Sequence, residues 1–264
     1  MRFFDSHAHL SAPPLLEDID PIADRAQRAE VGAIVNICTD LDSLDAGLSI
    51  ARRHPFIANA GATTPHDAEQ AGEAHFPRFA EAARSGSLVA IGETGLDYFH
   101  YRHTRLAQQR LLSRYLALAA ECKLPVVFHC RDAFSDLFAQ TAAEYPLGAP
   151  ALLHCFTGTL EEAEEALARN WSISLSGIVT FKKSAWLREI ARMIPLDRLL
   201  IETDAPYLSP ESRRSRRNEP AFLQETAECL AGVKEVSLAE LARATFDNGV
   251  RFFQFPLSNS HDTV

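Results

Sequence analysis

The sequence has no apolar run of roughly 18 residues, the length at which a segment becomes a membrane-helix candidate, so no membrane span is expected. It has no excess of positive charge either: 26 Lys and Arg stand against 35 Asp and Glu, a formal net charge of −9. That balance argues against a basic face wrapped around duplex DNA, because phosphate binding rests on many Lys and Arg contacts. A nucleic acid held through bound cations remains compatible with it. Cysteine is sparse, five residues with no CxxC pair (Cys38, Cys122, Cys130, Cys155, Cys229), which reads as free thiols in a reducing compartment. The opening Met1-Arg2-Phe3-Phe4-Asp5 meets charge at once and lacks the apolar stretch of a signal peptide. The expected location is therefore cytoplasmic. There is no internal repeat, linker or low-complexity segment, and 47% hydrophobic with 23% charged residues is ordinary globular usage.

What the chain does have is alternation. Short apolar or β-branched runs fall at 2–5, 33–38, 56–61, 88–93, 126–129, 152–155, 172–175 and 199–202, separated by helix-period segments. The clearest helix is 103–122, where Leu111, Tyr115, Leu118 and Cys122 recur on one face. A last helix runs from Leu238 to about Phe253. Thr159-x-x-Glu162 and Ser237-x-x-Glu240 have the form of capping boxes. Eight strands alternating with helices imply parallel pairing by right-handed crossovers, and in 264 residues they fit a closed (β/α)₈ barrel of the TIM type as a single domain. A doubly wound open sheet is the fallback, although no Gly-rich phosphate fingerprint follows the first strand. The barrel is expected to occupy residues 1–255, and the polar stretch 256–264 to be a frayed tail.

Ten histidines are present, and their placement matters more than their number. His7 and His9 form an H-x-H at the end of the first strand, where a period of two turns both imidazoles, and Asp5, the same way. Glu93, His129, His154 and Asp204 stand at the ends of later strands. In a barrel all strand C-termini meet at one rim, where active sites are built. Imidazoles and carboxylates gathered there suit Zn²⁺, Mn²⁺ or Co²⁺ better than Ca²⁺. Two ions about 3.5–4 Å apart can share a bridging water and clamp a scissile carbonyl or phosphoryl group. Cys130 and Cys155, next to His129 and His154, would face away as small hydrophobes. His54, His66, His75, His100, His103 and His261 fall in helix ends, loops or the tail and are expected at the surface.

Six stretches support a resemblance: Asp5-Ser-His-Ala-His-Leu10, Gly92-Glu-Thr-Gly-Leu-Asp-Tyr98, His129-Cys-Arg-Asp-Ala133, His154-Cys-Phe-Thr-Gly158, Glu202-Thr-Asp-Ala-Pro-Tyr-Leu208 and Arg217-Asn-Glu-Pro220. Together they resemble the TatD family of metal-dependent hydrolases, within the amidohydrolase-like set of metal-dependent barrels. The resemblance implies two divalent ions at the C-terminal rim. His7, His9 and Asp204 would hold the first, Glu93 would bridge, and His129 and His154 would complete the second. It also implies a deoxyribonuclease, notably a 3′–5′ exonuclease on single-stranded DNA, or alternatively a deacylase, since a D-aminoacyl-tRNA activity is associated with some relatives. The donor balance favours Zn²⁺ or Mn²⁺, whereas Mg²⁺ supports nuclease activity in similar proteins, so the ion stays open. Two segments depart from the family pattern. Gly61-Ala-Thr-Thr-Pro-His66 stands in place of Gly-x-His-Pro-His, with Thr64 where the first His is expected, and 99–104 differs from the usual run.

On the leading reading, Asp204 takes the proton of a water that attacks phosphorus, with Glu93 holding the ions in place. Arg131 shares the face of His129 and either contacts a phosphate through its guanidinium fork or pairs with a neighbouring carboxylate. Arg213, Arg214, Arg216 and Arg217 form a basic run after the last strand, either a phosphate-backbone patch or a solvated loop. Tyr98 and Tyr207 either stack on a base or pack the loops. The expected partner is single-stranded DNA, with no obligate protein partner. A deacylase or amidohydrolase acting on an ester or amide is the alternative, and a non-catalytic scaffold with a vestigial site is the third reading.

Overall fold

In a computed structural model of the chain, which describes residues 1–256, the eight strands are β1 (Phe3–Ala8), β2 (Val31–Cys38), β3 (Ile57–Gly61), β4 (Ala90–Asp97), β5 (Val126–Arg131), β6 (Ala151–Leu153), β7 (Ser172–Leu175) and β8 (Leu199–Ile201). They pair in sequence order, each neighbour parallel to the next. The helices are α1 (Pro13–Leu16), α2 (Ile19–Arg28), α3 (Leu41–Arg53), α4 (Gly72–Arg84), α5 (Arg105–Cys122), α6 (Phe134–Glu144), α7 (Leu160–Ala168), α8 (Ala185–Met193), α9 (Leu223–Lys234) and α10 (Leu238–Phe253). This is the (β/α)₈ barrel that the alternation implied, and every strand lies on one of the expected runs. β1 and β8 close the ring without a regular ladder. Ser6 Oγ donates to the Ile201 carbonyl at 3.0 Å, and the Asp204 N–H donates to the His7 carbonyl at 2.9 Å.

The boundaries differ where neighbours decide them. β4 and β5 run on together, pairing Leu96 with Cys130 and Asp97 with Arg131, so both reach beyond their apolar runs. β6 stops at Leu153, which leaves His154 just past the strand. The helix expected over 103–122 starts as α5 at Arg105, because Arg102–Thr104 forms a 3₁₀ turn. Thr159 makes both halves of its capping box with Glu162, whereas Ser237 only accepts from the Glu240 N–H.

Strand alternation sorts the core into two layers. Phe4, Ala33, Val35, Ala60, Val127 and Leu200 fill the barrel, and Phe3, Ile34, Ile57, Val126 and Ile173 pack outward against the helices. Phe252, Phe253 and Phe255 at the end of α10 join the inner cluster. Phe253 stacks on Phe4 with ring centroids 5.8 Å apart, so α10 plugs the end at which the strands begin. The functional residues then have the opposite end. No helix among the described residues is long and apolar enough to cross a membrane. The stretch 257–264, with its expected fraying and His261, lies outside the described residues.

Candidate metal centre

The strand ends bring the histidines together. β1 carries a register shift between Asp5 and Ala8, and past Asp5 simple alternation no longer holds. His7 and His9 still face the same point, their Nε2 atoms 3.3 Å apart. Asp5 does not join them: it accepts from the Thr203 N–H at 2.9 Å and from Thr203 Oγ1 at 2.6 Å, bracing β1 against the chain beyond β8. β4 can deliver Glu93 only because its glycines let it approach β5. A Cβ on Gly95, whose φ is +144°, would lie 2.0 Å from the His129 carbonyl oxygen. Asp132, Cys155 and Asp204 take left-handed φ values of 53°, 44° and 58°. Such backbone costs about 1–3 kcal/mol at each non-glycine residue and tends to cluster at functional sites.

Glu93 is 6% exposed and faces two donor sets, one with each oxygen. Its Oε2 lies 3.5 Å from His7 Nε2 and 3.7 Å from His9 Nε2, and Asp204 Oδ1 lies 3.6 and 3.4 Å from the same two atoms. Its Oε1 lies 2.8 Å from His129 Nδ1 and 3.2 Å from His154 Nε2. Four ligand atoms around a tetrahedral ion with bonds of about 2.0–2.1 Å sit about 3.4 Å apart, so these spacings suit a cation. The donor chemistry agrees, because two imidazole nitrogens that face each other at 3.3 Å satisfy one another with a single proton at best. The His7–His9–Asp204 and Glu93–His129–His154 groups are each compact enough to hold an ion.

Two further carboxylates back the imidazoles. Asp97, fully buried, accepts from His129 Nε2 at 3.0 Å and thereby turns Nδ1 toward Glu93. Glu202, also fully buried, lies 3.5 Å from His154 Nδ1, and both its oxygens lack a hydrogen-bond partner. A carboxylate behind a ligating imidazole fixes its tautomer and raises its basicity. Burial pushes the Glu93 carboxyl up, but the charge of His154 and hydrogen bonds from His129, His154 and His7 outweigh it and hold it well below the usual carboxylate range. Asp204 follows the same pattern: burial raises it, and the hydrogen bond from His9 with the charge of His7 brings it down. His154 is driven up against its own burial by Glu93 and Glu202, while burial and His154 lower His7.

The remaining expected site residues divide. Arg131 is exposed and has no carboxylate partner among the described residues; its guanidinium lies 4.1 Å over the Phe99 ring. Tyr207 is 57% exposed, with its ring 5.7 Å from that of His9. Tyr98 instead donates its hydroxyl to Asp136 at 2.7 Å. Arg213 pairs with Glu225 at 2.7 Å and Arg217 with Asp18 at 3.1 Å. Arg214 lies over Phe181 and Arg216 over Phe222, so the basic run is largely tied to its own surroundings. Cys130 and Cys155, expected as packed small side chains, are half-buried, and burial pushes both thiols well up. A surface cleft of about 670 Å³, lined by residues that include Thr180, Phe222 and Glu225, has no histidine in its lining.

Of the histidines expected at the surface, His54, His66 and His75 are half-buried, while His100 is exposed as expected. His66 Nε2 and His100 Nδ1 both turn inward to Asp97 Oδ2, at 2.9 and 3.1 Å. Thr64 is buried and lies 3.4 Å from Asp67 Oδ2, which leaves His66 as the residue of its segment that reaches the rim. Asp97 and Glu202 received no role from the sequence. The signal was present: Asp97 stands four residues past Glu93 and Glu202 two before Asp204, both even spacings in extended chain.

The profile of the family described as TatD related DNase matches residues 4–254. An uncharacterized metal-dependent hydrolase of Bacillus subtilis, YabD, is 36% identical over 251 residues, covering 95% of this chain and 98% of its own. The 3′-5′ ssDNA/RNA exonuclease TatD of Erwinia tasmaniensis is 38% identical over 259 residues, covering 95% and 99%. Among solved structures, the TatD homolog YJJV of Escherichia coli superposes with a TM-score of 0.90 at 28% identity, over 97% of this chain and 99% of its own.

Proposed function

The chain belongs to the TatD related DNase family, and from that premise we propose that it is a divalent-metal-dependent hydrolase of nucleic-acid phosphodiesters, acting from the 3′ end of single strands. The observation that carries this reading is Glu93, which offers one oxygen to His7 and His9 and the other to His129 and His154. His7, His9 and Asp204 would hold one ion, and His129 and His154 a second, with Glu93 shared between them. Bound there, the ions would acidify a water and neutralise charge on a phosphoryl group. Asp204, whose carboxyl the hydrogen bond from His9 and the charge of His7 hold below the usual range, would accept the proton that this water gives up. Asp97 and Glu202 keep His129 and His154 aimed inward. The acidic net charge is no obstacle, since cations rather than arginines would meet the phosphate. Arg131 is available for a neighbouring phosphate, and the exposed rings of Phe99 and Tyr207 for bases.

A hydrolase of esters or amides is the second reading, favoured by the engagement of Arg213 and Arg217 with Glu225 and Asp18. The two separate in one assay. Metal-loaded protein is offered end-labelled single-stranded DNA beside an aminoacyl ester, at matched concentrations. The nuclease reading expects release of mononucleotides from the 3′ end at a far higher kcat/KM, and preferential cleavage of the ester would replace it.

A further inference from the structure

We propose that His66 Nε2, Asp97 Oδ2 and His100 Nδ1 form a third cation site, beside the paired centre and sharing no donor atom with it. Among the described residues these three side chains bring their donor atoms close enough to hold an ion. They arrive from different elements. His66 lies in the 3₁₀ turn Pro65–Asp67 after β3, Asp97 ends β4, and His100 lies in the loop before α5. His66 and His100 stand in the two segments that differ from the family pattern, His66 at the position of its final His.

Counting protons and lone pairs at that carboxylate shows the mismatch. Asp97 Oδ1 already accepts the His100 backbone N–H at 2.8 Å. Oδ2 faces three imidazole nitrogens, His66 Nε2 at 2.9 Å, His129 Nε2 at 3.0 Å and His100 Nδ1 at 3.1 Å. His129 is committed: with Nδ1 kept for the ion at Glu93, Nε2 carries a proton and fills one lone pair of Oδ2. The nitrogens of His66 and His100 are left to compete for the other. A divalent cation resolves the competition by taking an electron pair from each of the two nitrogens and one from Oδ2. About 3.4 Å between ligand atoms would then be needed, an opening of a few tenths of an ångström from the present spacing. The His66 and His100 side chains, 36% and 44% exposed, have room to give it.

Two imidazoles with one carboxylate are a donor set for Zn²⁺ or Co²⁺ rather than Ca²⁺. Three protein ligands leave a coordination position open, as in catalytic rather than structural zinc sites. The exposure of both imidazoles directs that position to the solvent side of the rim, where it can take an anionic oxygen of a substrate. Tyr101 walls the site, its ring 4.8 Å from that of His66.

Metal counting tests this without reference to turnover. Metal-stripped protein is dialysed against micromolar Co²⁺, and bound metal is measured by mass spectrometry, with the visible cobalt spectrum recorded alongside. The expectation is three equivalents for the native protein. His66→Gln and His100→Gln should each bind two, with affinity for the lost ion down at least a hundredfold. Two equivalents in the native protein, or three that neither substitution lowers, would overturn the third site. Glu93→Ala should retain the ion at Asp97 while losing metal from the pair. An undiminished count in that variant would instead overturn the paired centre, so the two failures are distinguishable.

Discussion

Asp97 and His129 show how a side chain outside the paired centre sets the direction of one within it. Because Nε2 donates to Asp97, Nδ1 is the nitrogen that faces Glu93 and whose lone pair an ion there would take. Asp97→Asn presents an N–H as readily as an oxygen, and the tautomer is no longer fixed. Loss of such a backing carboxylate typically costs about 10–100-fold in metal affinity or activity. We expect a drop of that order in affinity for the ion at His129, read by competition with a chromogenic chelator. An unchanged affinity would show that the tautomer is set elsewhere. At this scale the sequence was partly legible. His7, His9, His154 and Asp204 stand near or past strand ends, and Glu93 and His129 close the apolar runs of β4 and β5, although those strands continue to Asp97 and Arg131; strand ends share a rim. The inward turn of His66 was not legible, because the carboxylate it meets is 31 residues away and on another element. The pairing of Arg213 with Glu225 and of Arg217 with Asp18 was hidden for the same reason.

At the scale of elements, β4 is held close to β5 by the absence of side chains at Gly92 and Gly95. Gly95→Ala puts a methyl 2.0 Å from the His129 carbonyl oxygen at φ +144°, so the strands must part. A destabilisation of at least about 3 kcal/mol is expected, seen as a lower urea midpoint or as insoluble protein, and near-native stability would contradict the close approach. At the far end, Phe253 is 1% exposed and stacks on Phe4. Phe253→Ala should cost about 3–5 kcal/mol, the usual loss for a large core aromatic. In whatever fraction stays folded, metal affinity should be unchanged, because the plug and the rim lie at opposite ends of the strands. The eight strands were readable because apolar runs alternate with helix-period segments. The register shift in β1 was not readable, since it depends on how Asp5 and Thr203 meet across 198 residues. The extra length of β4 and β5 depends on each other for the same kind of reason.

At the scale of the whole molecule, a chain of formal charge −9 gathers buried carboxylates at one rim. Glu93, Asp97, Glu202 and Asp204 are each less than 9% exposed. Cations at that rim offset their repulsion, so metal and stability are linked. Ion bound at about a hundred times its dissociation constant adds about 2.7 kcal/mol, which in a domain of this size raises Tm by roughly 5–10 °C. A melt of metal-stripped protein with and without added Zn²⁺ or Mn²⁺ checks this, and an identical Tm would mean that the folded state binds neither ion with useful affinity. The central claim, that Glu93 joins two donor sets into one hydrolytic centre, is tested most directly by a single comparison. Native protein and Glu93→Ala are stripped of metal, supplied with Mg²⁺, Mn²⁺ or Zn²⁺, and given 5′-labelled single-stranded DNA. The account predicts a ladder shortening from the 3′ end only when metal is restored, and a rate lower by at least about a thousandfold in the variant, as loss of several kcal/mol of charge stabilisation requires. Full turnover by Glu93→Ala, or cleavage by metal-free native protein, would contradict it.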